Sequence, residues 1–222
     1  MATKYVLFII TSAETIGPNN RKTGYFFPEV AHPFEEFDRA GYAVDFATIN
    51  GGAPPADGYD ESDASSKAFH ASKAFQRMQN SRKLSEIEVT AYDAVFVPGG
   101  LGPMVDMSEN PEVKTALAAA YEAGLIVGAV CHGPAALLGT RLSTGEMLVK
   151  GKSVTGFTNA EEESYAADDV PFLLQSALEE QGAKFVQGDL WQPNAVVDGR
   201  LVTGQNPASA APMAQKMIGL MA

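Results

Sequence analysis

Ile126-Val127-Gly128-Ala129-Val130-Cys131-His132-Gly133-Pro134-Ala135-Ala136-Leu137-Leu138 is the stretch on which the reading of the fold turns. An apolar, β-favouring run stops at Cys131. His132-Gly133-Pro134 then reads as a tight turn into a helix, with Pro134 in the first turn, where its missing N–H loses no hydrogen bond. The pattern predicts strand, sharp turn and helix, with the chain's only cysteine at the corner. A thiol there meets the free N–H groups and positive end of a helix, which favour thiolate. A small inert residue closing a buried strand fits the same pattern. The adjacent histidine and the turn favour the nucleophile.

Outward from this stretch, strands and helices alternate. Lys4 to Ile10 is a continuous apolar run, as in a strand covered on both faces. Thr11 to Gly24 is a polar loop at its carboxyl end. Glu29 to Ala40 carries Val30, Phe34 and Phe37 at helical spacing and stops at Gly41. Tyr42 to Thr48 alternates as a second strand, and Asn50 to Gly58 is loop. Ser62 to Glu88 reads as one or two short amphipathic helices, part of a helical insertion at about 59–90. Ala94 to Val97 is a third buried strand, followed by Gly99-Gly100. Pro111 to Ala123 is a helix ending at Gly124.

Beyond Leu138, Glu146 to Val149 and Ser153 to Thr155 suggest two short strands. Asn159 is a plausible cap for a local helix that includes Glu161-Glu162-Glu163. Pro171 to Glu180 reads as helix, and Lys184 to Val186 and Ala195 to Val197 as strands. Asp198-Gly199 is a hairpin turn into Leu201-Val202-Thr203. Asn206-Pro207 opens a last helix. These elements predict one α/β domain over 1–222, a three-layer, flavodoxin-like sandwich with a mostly parallel central sheet and a nucleophile elbow. Sites in such sheets form beyond the strands' carboxyl ends.

Composition bounds the partners. A chain of 222 residues, 45% of them hydrophobic, suffices for one large core. A formal net charge of −11, with no lysine/arginine run, opposes nucleic acid and anionic membrane surfaces. One cysteine allows no internal disulfide, which suits a reducing compartment. The amino-terminal apolar run is too short for a membrane span and lacks a signal-peptide cleavage region. The expectation is a soluble, cytoplasmic protein. The three histidines are not spaced as metal ligands with Cys131, and no metal or other cofactor is expected.

The elbow Ala129-Val130-Cys131-His132-Gly133-Pro134 resembles that of the ThiJ/PfpI superfamily, within the class I glutamine amidotransferase-like fold. Thr23 to Phe34, Thr155 to Glu162 and Asp198 to Ser209 resemble the heat-shock-protein-31-like glyoxalase III branch, in the same order along the chain. The resemblance implies catalytic roles for Cys131, Glu29 and His132, with Glu162 pairing His132. Glu161 and Glu163 are the neighbouring alternatives for that partner. It also implies that Gly99-Gly100 is an oxyanion or substrate-binding loop. Read as residues alone, Glu29 also suits a first-turn acid complementing the helix dipole, Glu161-Glu162-Glu163 a solvated first turn, and the glycine pair an ordinary turn. Related members often carry histidine where Leu101 stands, which makes this pocket more apolar.

The implied activity is a cofactor-independent glyoxalase III acting on a small aldehyde. A thiolate adding to an aldehyde needs a nearby acid for the new alkoxide, and a carboxyl beside sulfur has its pKa raised enough to serve. The family also implies three alternatives. These are a holdase chaperone using apolar patches on the Ser62 to Glu88 insertion to bind unfolded clients, a redox-responsive protein with a peroxide-sensitive thiol, and a cysteine-dependent deglycase or hydrolase. A homodimer is expected by resemblance. Glutamine amidotransfer needs a histidine well downstream, and none follows His132.

Overall fold

The computed structural model describes residues 3–222. Among them, seven strands form the central sheet: β1 (Tyr5–Ile10), β2 (Ala43–Thr48), β3 (Arg82–Lys83), β4 (Ala94–Val97), β5 (Ile126–Val130), β6 (Ala195–Asp198) and β7 (Leu201–Gly204). Their order is β6-β7-β5-β4-β1-β2-β3. Every pairing is parallel except the β6–β7 hairpin. The continuous apolar runs are explained by burial, since Val6 to Ile10 and Ala94 to Val97 are wholly inaccessible. Parallel register sets Phe8 beside Phe46 and Phe96, with ring centroids 5.7 and 4.7 Å away. Each such buried ring contributes roughly 2–3 kcal/mol.

Helices flank the sheet: α1 (Pro28–Arg39), α2 (Ala64–His70), α3 (Lys73–Met78), α4 (Gly102–Asp106), α5 (Pro111–Glu122), α6 (Asn159–Glu163), α7 (Leu174–Glu180) and α8 (Ala210–Met221). Among the described residues, no helix is long and apolar enough to cross a membrane. α1 packs on α8, α8 on β5 and β7, and α5 on β4 and β5. Near the end of α8, a Cβ added at Gly219 meets nothing within 4 Å. Gly219→Ala is therefore expected to raise stability by about 0.5–1 kcal/mol through helix propensity, read as a higher urea midpoint at unchanged slope.

The insertion forms α2 and α3, capped by Asp63 and Ser72. Phe69, Ala74 and Met78 are buried, and Phe69 lies 4.9 Å from the Phe34 ring. His32 binds Asp63 at 2.8 Å and ties α1 to this segment. The apolar patches expected on the insertion are therefore turned inward, because its aromatic residues fill the space beside α1 and β2. His70 is exposed, with its ring tilted against those of Tyr59 (4.8 Å) and Phe75 (4.6 Å).

Several local readings differ from the structure. The elbow leads into a short 3₁₀ segment, Gly133–Leu137, and not into an α-helix. Met147 to Val149 is a turn carrying one bridge, from Met147 to Arg141. Ser153–Val154 instead pairs in parallel with Lys184–Phe185. Thr158, not Asn159, caps α6, in a capping box with Glu161. α7 starts at Leu174, past Pro171, and a 3₁₀ turn over Pro207–Ser209 precedes α8. In the loop after β1, Thr15–Ile16 pairs with Arg21–Lys22 in a small hairpin.

Candidate active site

The sheet order reverses direction between β1 and β4, so the chain leaves these neighbouring strands toward opposite edges and opens a crevice at their carboxyl ends. Cys131 stands at the end of β5, next to β4. Its N–H donates to the Gly204 carbonyl (2.9 Å) and its own carbonyl accepts from the Phe157 N–H (2.9 Å). These bonds hold it at φ 60°, a region costly for a residue with a side chain. A Cβ on Gly133 would lie 2.4 Å from the Val97 carbonyl, so only glycine lets the elbow turn this close to β4.

Glu29 is the second residue of α1. A first-turn glutamate ordinarily faces water, but this one is wholly buried. Tyr25–Phe26 pairs with Ala56–Asp57, and Phe26 N–H donates to the Gly99 carbonyl (3.1 Å), which lays the start of α1 against the loop after β4. Gly100 has φ 86°, and its Cβ would meet the Gly24 carbonyl at 2.4 Å. The Gly99 N–H donates to Glu29 Oε2 at 2.7 Å. Glu29 Oε1 is buried without a hydrogen-bond partner.

Electrostatics follow from this burial. Desolvation pushes the Glu29 pKa from 4.5 up to about 8, against weaker lowering by Cys131 and the Gly99 N–H. At neutral pH its carboxyl is protonated. Burial, and then the Glu29 charge, push the Cys131 thiol well up, while the Gly100 and His132 N–H groups oppose this. The turn alone was expected to favour thiolate; the loss of solvent around a residue only 4% exposed outweighs it. When Glu29 is neutral its repulsion disappears, but burial still holds the thiol up against the two backbone donors.

His132 lies on the other side of the sulfur. Its Nδ1 is 3.4 Å from Cys131 Sγ, and its Nε2 is 2.7 Å from Glu162 Oε2. Both side chains are buried. Glu162 is thus the histidine's partner among the three consecutive glutamates, Glu163 is exposed, and Glu161 has a separate set of bonds. The loop glycines also part company. The Gly99 N–H is committed to Glu29, so it is not a free oxyanion donor, whereas the Gly100 N–H serves the sulfur. Leu101 is buried at the start of α4. Among the described residues, no group of three or more His, Cys, Asp and Glu side chains is placed to hold a metal ion.

Sequence reasoning missed the aromatic residues beside this pair. Phe157 lies 4.3 Å from the His132 ring, Tyr165 5.6 Å and Trp191 5.4 Å from Phe157. The Arg21 guanidinium covers Tyr165 at 4.9 Å and pairs with Asp169 at 3.1 Å. Burial, and next the charge at Cys131, push the Tyr165 hydroxyl up to about 12. These residues lie in loops without periodicity. The only sequence signal was Thr158-x-x-Glu161, a capping box, which marks Glu161 as bonded inward.

A thiol at a left-handed corner after a parallel strand, with a buried carboxyl on one side and a buried His–Glu pair on the other, defines an α/β protein of the nucleophile-elbow class. A model of the DJ-1/PfpI family matches residues 27–220, and the chain belongs to that family. It is 32% identical to the glutathione-independent glyoxalase HSP31 of Saccharomyces cerevisiae, with 98% of each chain aligned. The crystal structure of glyoxalase III from Candida albicans superimposes with a TM-score of 0.88 at 30% identity, over 98% of this chain and 97% of that one. Rapid Encystment Protein 24 kDa of Francisella tularensis superimposes with a TM-score of 0.94 at 32% identity, over 99% and 100%.

Proposed function

We propose that this protein is a cofactor-independent glyoxalase III that converts methylglyoxal and water to lactate. The observation that carries the reading is the buried, protonated Glu29 carboxyl set against Cys131. The full-length likeness to the yeast and Candida glyoxalases supports it.

The Cys131 thiol passes its proton to His132 Nδ1, 3.4 Å away, and adds to the aldehyde carbon, while Glu29 gives its proton to the new alkoxide, forming a hemithioacetal. The Glu29 carboxylate then takes the proton from that carbon. The electron pair moves into an enediolate; Glu29 then returns the proton to the neighbouring carbon, while the proton on the first carbon's oxygen passes to the second oxygen. The product is a lactoyl thioester on Cys131. Water cleaves it to lactic acid and the Cys131 thiol, His132 gives its proton back to Glu29, and lactate leaves with one proton released to solvent. His132, oriented by Glu162, holds its Nδ1 toward the sulfur throughout.

Purified protein is expected to turn methylglyoxal into lactate without glutathione or added metal. Cys131→Ala should lower kcat/KM at least ~10³-fold. A wild-type rate in that variant, or no turnover by the wild-type protein, overturns the reading. An unchanged urea midpoint separates lost chemistry from lost folding.

A further inference from the structure

Trp191, the chain's only tryptophan, has φ 61°. A bulky residue in this region is a genuine outlier, and it persists only where its surroundings over-determine it. They do so here through Glu161. This wholly buried carboxylate accepts from the Trp191 N–H (2.8 Å), Gln205 Nε2 (3.1 Å) and Asn206 Nδ2 (2.8 Å) at Oε1, and from the Thr158 N–H (3.1 Å) and Oγ1 (3.0 Å) at Oε2. Burial alone raises its pKa, and these donors together reverse the shift to a net lowering, so it stays ionised as the loop's anchor.

The strained conformation serves no core. The residue is 45% exposed. It stands edge-on to Phe157, 5.4 Å away, and 6.3 Å from Tyr165. Phe157 in turn covers His132, the neighbour of the nucleophile. The result is an aromatic lip with one ring against the active-site histidine, two rings open to solvent, and a cation at its far side in Arg21. Rings in this arrangement offer edges and faces to another aromatic group.

Building on the glyoxalase reading, we propose that Trp191 is a specificity-determining residue that favours 2-oxoaldehydes with an aromatic substituent over methylglyoxal, and that Glu161 is the positioning residue that holds it there. Phenylglyoxal is the simplest such substrate. Its aldehyde meets Cys131 as methylglyoxal does, and its ring lies against the lip.

Two readouts test this. In steady-state kinetics, the ratio of kcat/KM for phenylglyoxal to that for methylglyoxal is expected to fall at least tenfold in Trp191→Ala. Trp191→Phe should restore most of it, since a ring remains. Glu161→Gln should lower the same ratio, since an amide nitrogen repels donors that the carboxylate accepted. Equal effects of Trp191→Ala on both aldehydes overturn the proposal. The second readout needs no turnover. Tryptophan emission excited at 295 nm reports Trp191 alone. Mandelamide, an inert aromatic probe, is expected to change it saturably, at a concentration at least tenfold below its aliphatic counterpart lactamide. Indistinguishable titrations overturn the proposal. If neither aldehyde is turned over while mandelamide still binds selectively, the glyoxalase reading falls and the aromatic lip stands.

Discussion

Glu29→Gln is expected to remove catalysis and yet raise stability, by an amount that grows with pH. In the folded chain burial holds the Glu29 carboxyl at a pKa of about 8, against 4.5 when exposed. Below pH 4.5 both states carry the proton and the residue is neutral toward folding. As pH rises from 4.5 to 8 the unfolded chain releases the proton while the folded chain retains it, so wild-type stability falls progressively. At about 1.4 kcal/mol per pKa unit, the loss approaches about 3 kcal/mol at pH 7 and about 5 kcal/mol at pH 8 and above. Glutamine has no proton to lose, and its carbonyl still accepts from the Gly99 N–H. The two proteins should therefore unfold at similar urea midpoints near pH 4.5 and diverge toward pH 8, with the variant more stable. On methylglyoxal the variant should lose about 10²–10⁴-fold in kcat/KM, the range of a positioned acid–base group. Parallel stability curves across this interval would show that Glu29 is not buried as a neutral acid.

Gly99→Ala is expected to be strongly destabilising, because its methyl would enter the contact between Glu29 and Cys131. The added Cβ would lie 2.7 Å from Glu29 Oε2, 2.7 Å from the Val130 carbonyl and 2.8 Å from Cys131 Cβ. The carbonyl belongs to the end of β5 and cannot withdraw without disturbing the elbow. The carboxyl cannot withdraw without losing the Gly99 N–H. Overpacking against backbone at such a place costs about 3 kcal/mol or more. A lowered urea midpoint at unchanged slope measures it, and Gly219→Ala, with open space around its new methyl, is the matched control. A wild-type midpoint in Gly99→Ala would mean that the β4 loop gives way freely, which contradicts a rigid acid–thiol contact.

Much of this protein is legible in the sequence itself. Continuous apolar runs at Tyr5 to Ile10, Ala94 to Val97 and Ile126 to Val130 specify strands covered on both faces, because a half-exposed strand would alternate. Glycines and prolines mark the loops at their carboxyl ends. The shorter elements were less legible. Pro171 to Leu173 carries helical spacing but does not continue into a helix until Leu174. Glu146 to Val149 lost its strand pairing because Ser153–Val154 found a parallel partner more than thirty residues downstream, a choice no local pattern encodes.

The same division runs through the site. Sequence by itself determined the corner at Cys131, the glycine loop after β4, and the sheet that gathers them, since these follow from local patterning and turn chemistry. Only the tertiary structure decided the ionisation. A first-turn glutamate reads as a solvated acid until Tyr25–Phe26 and the Gly99 loop close over it, and a thiol at a helix entry reads as a ready anion until water is removed from around it. It likewise decided that Glu162 faces His132 while Glu161 turns inward to hold Trp191. Adjacent residues on one helical turn point different ways, and which direction is the interior depends on segments far away in the chain.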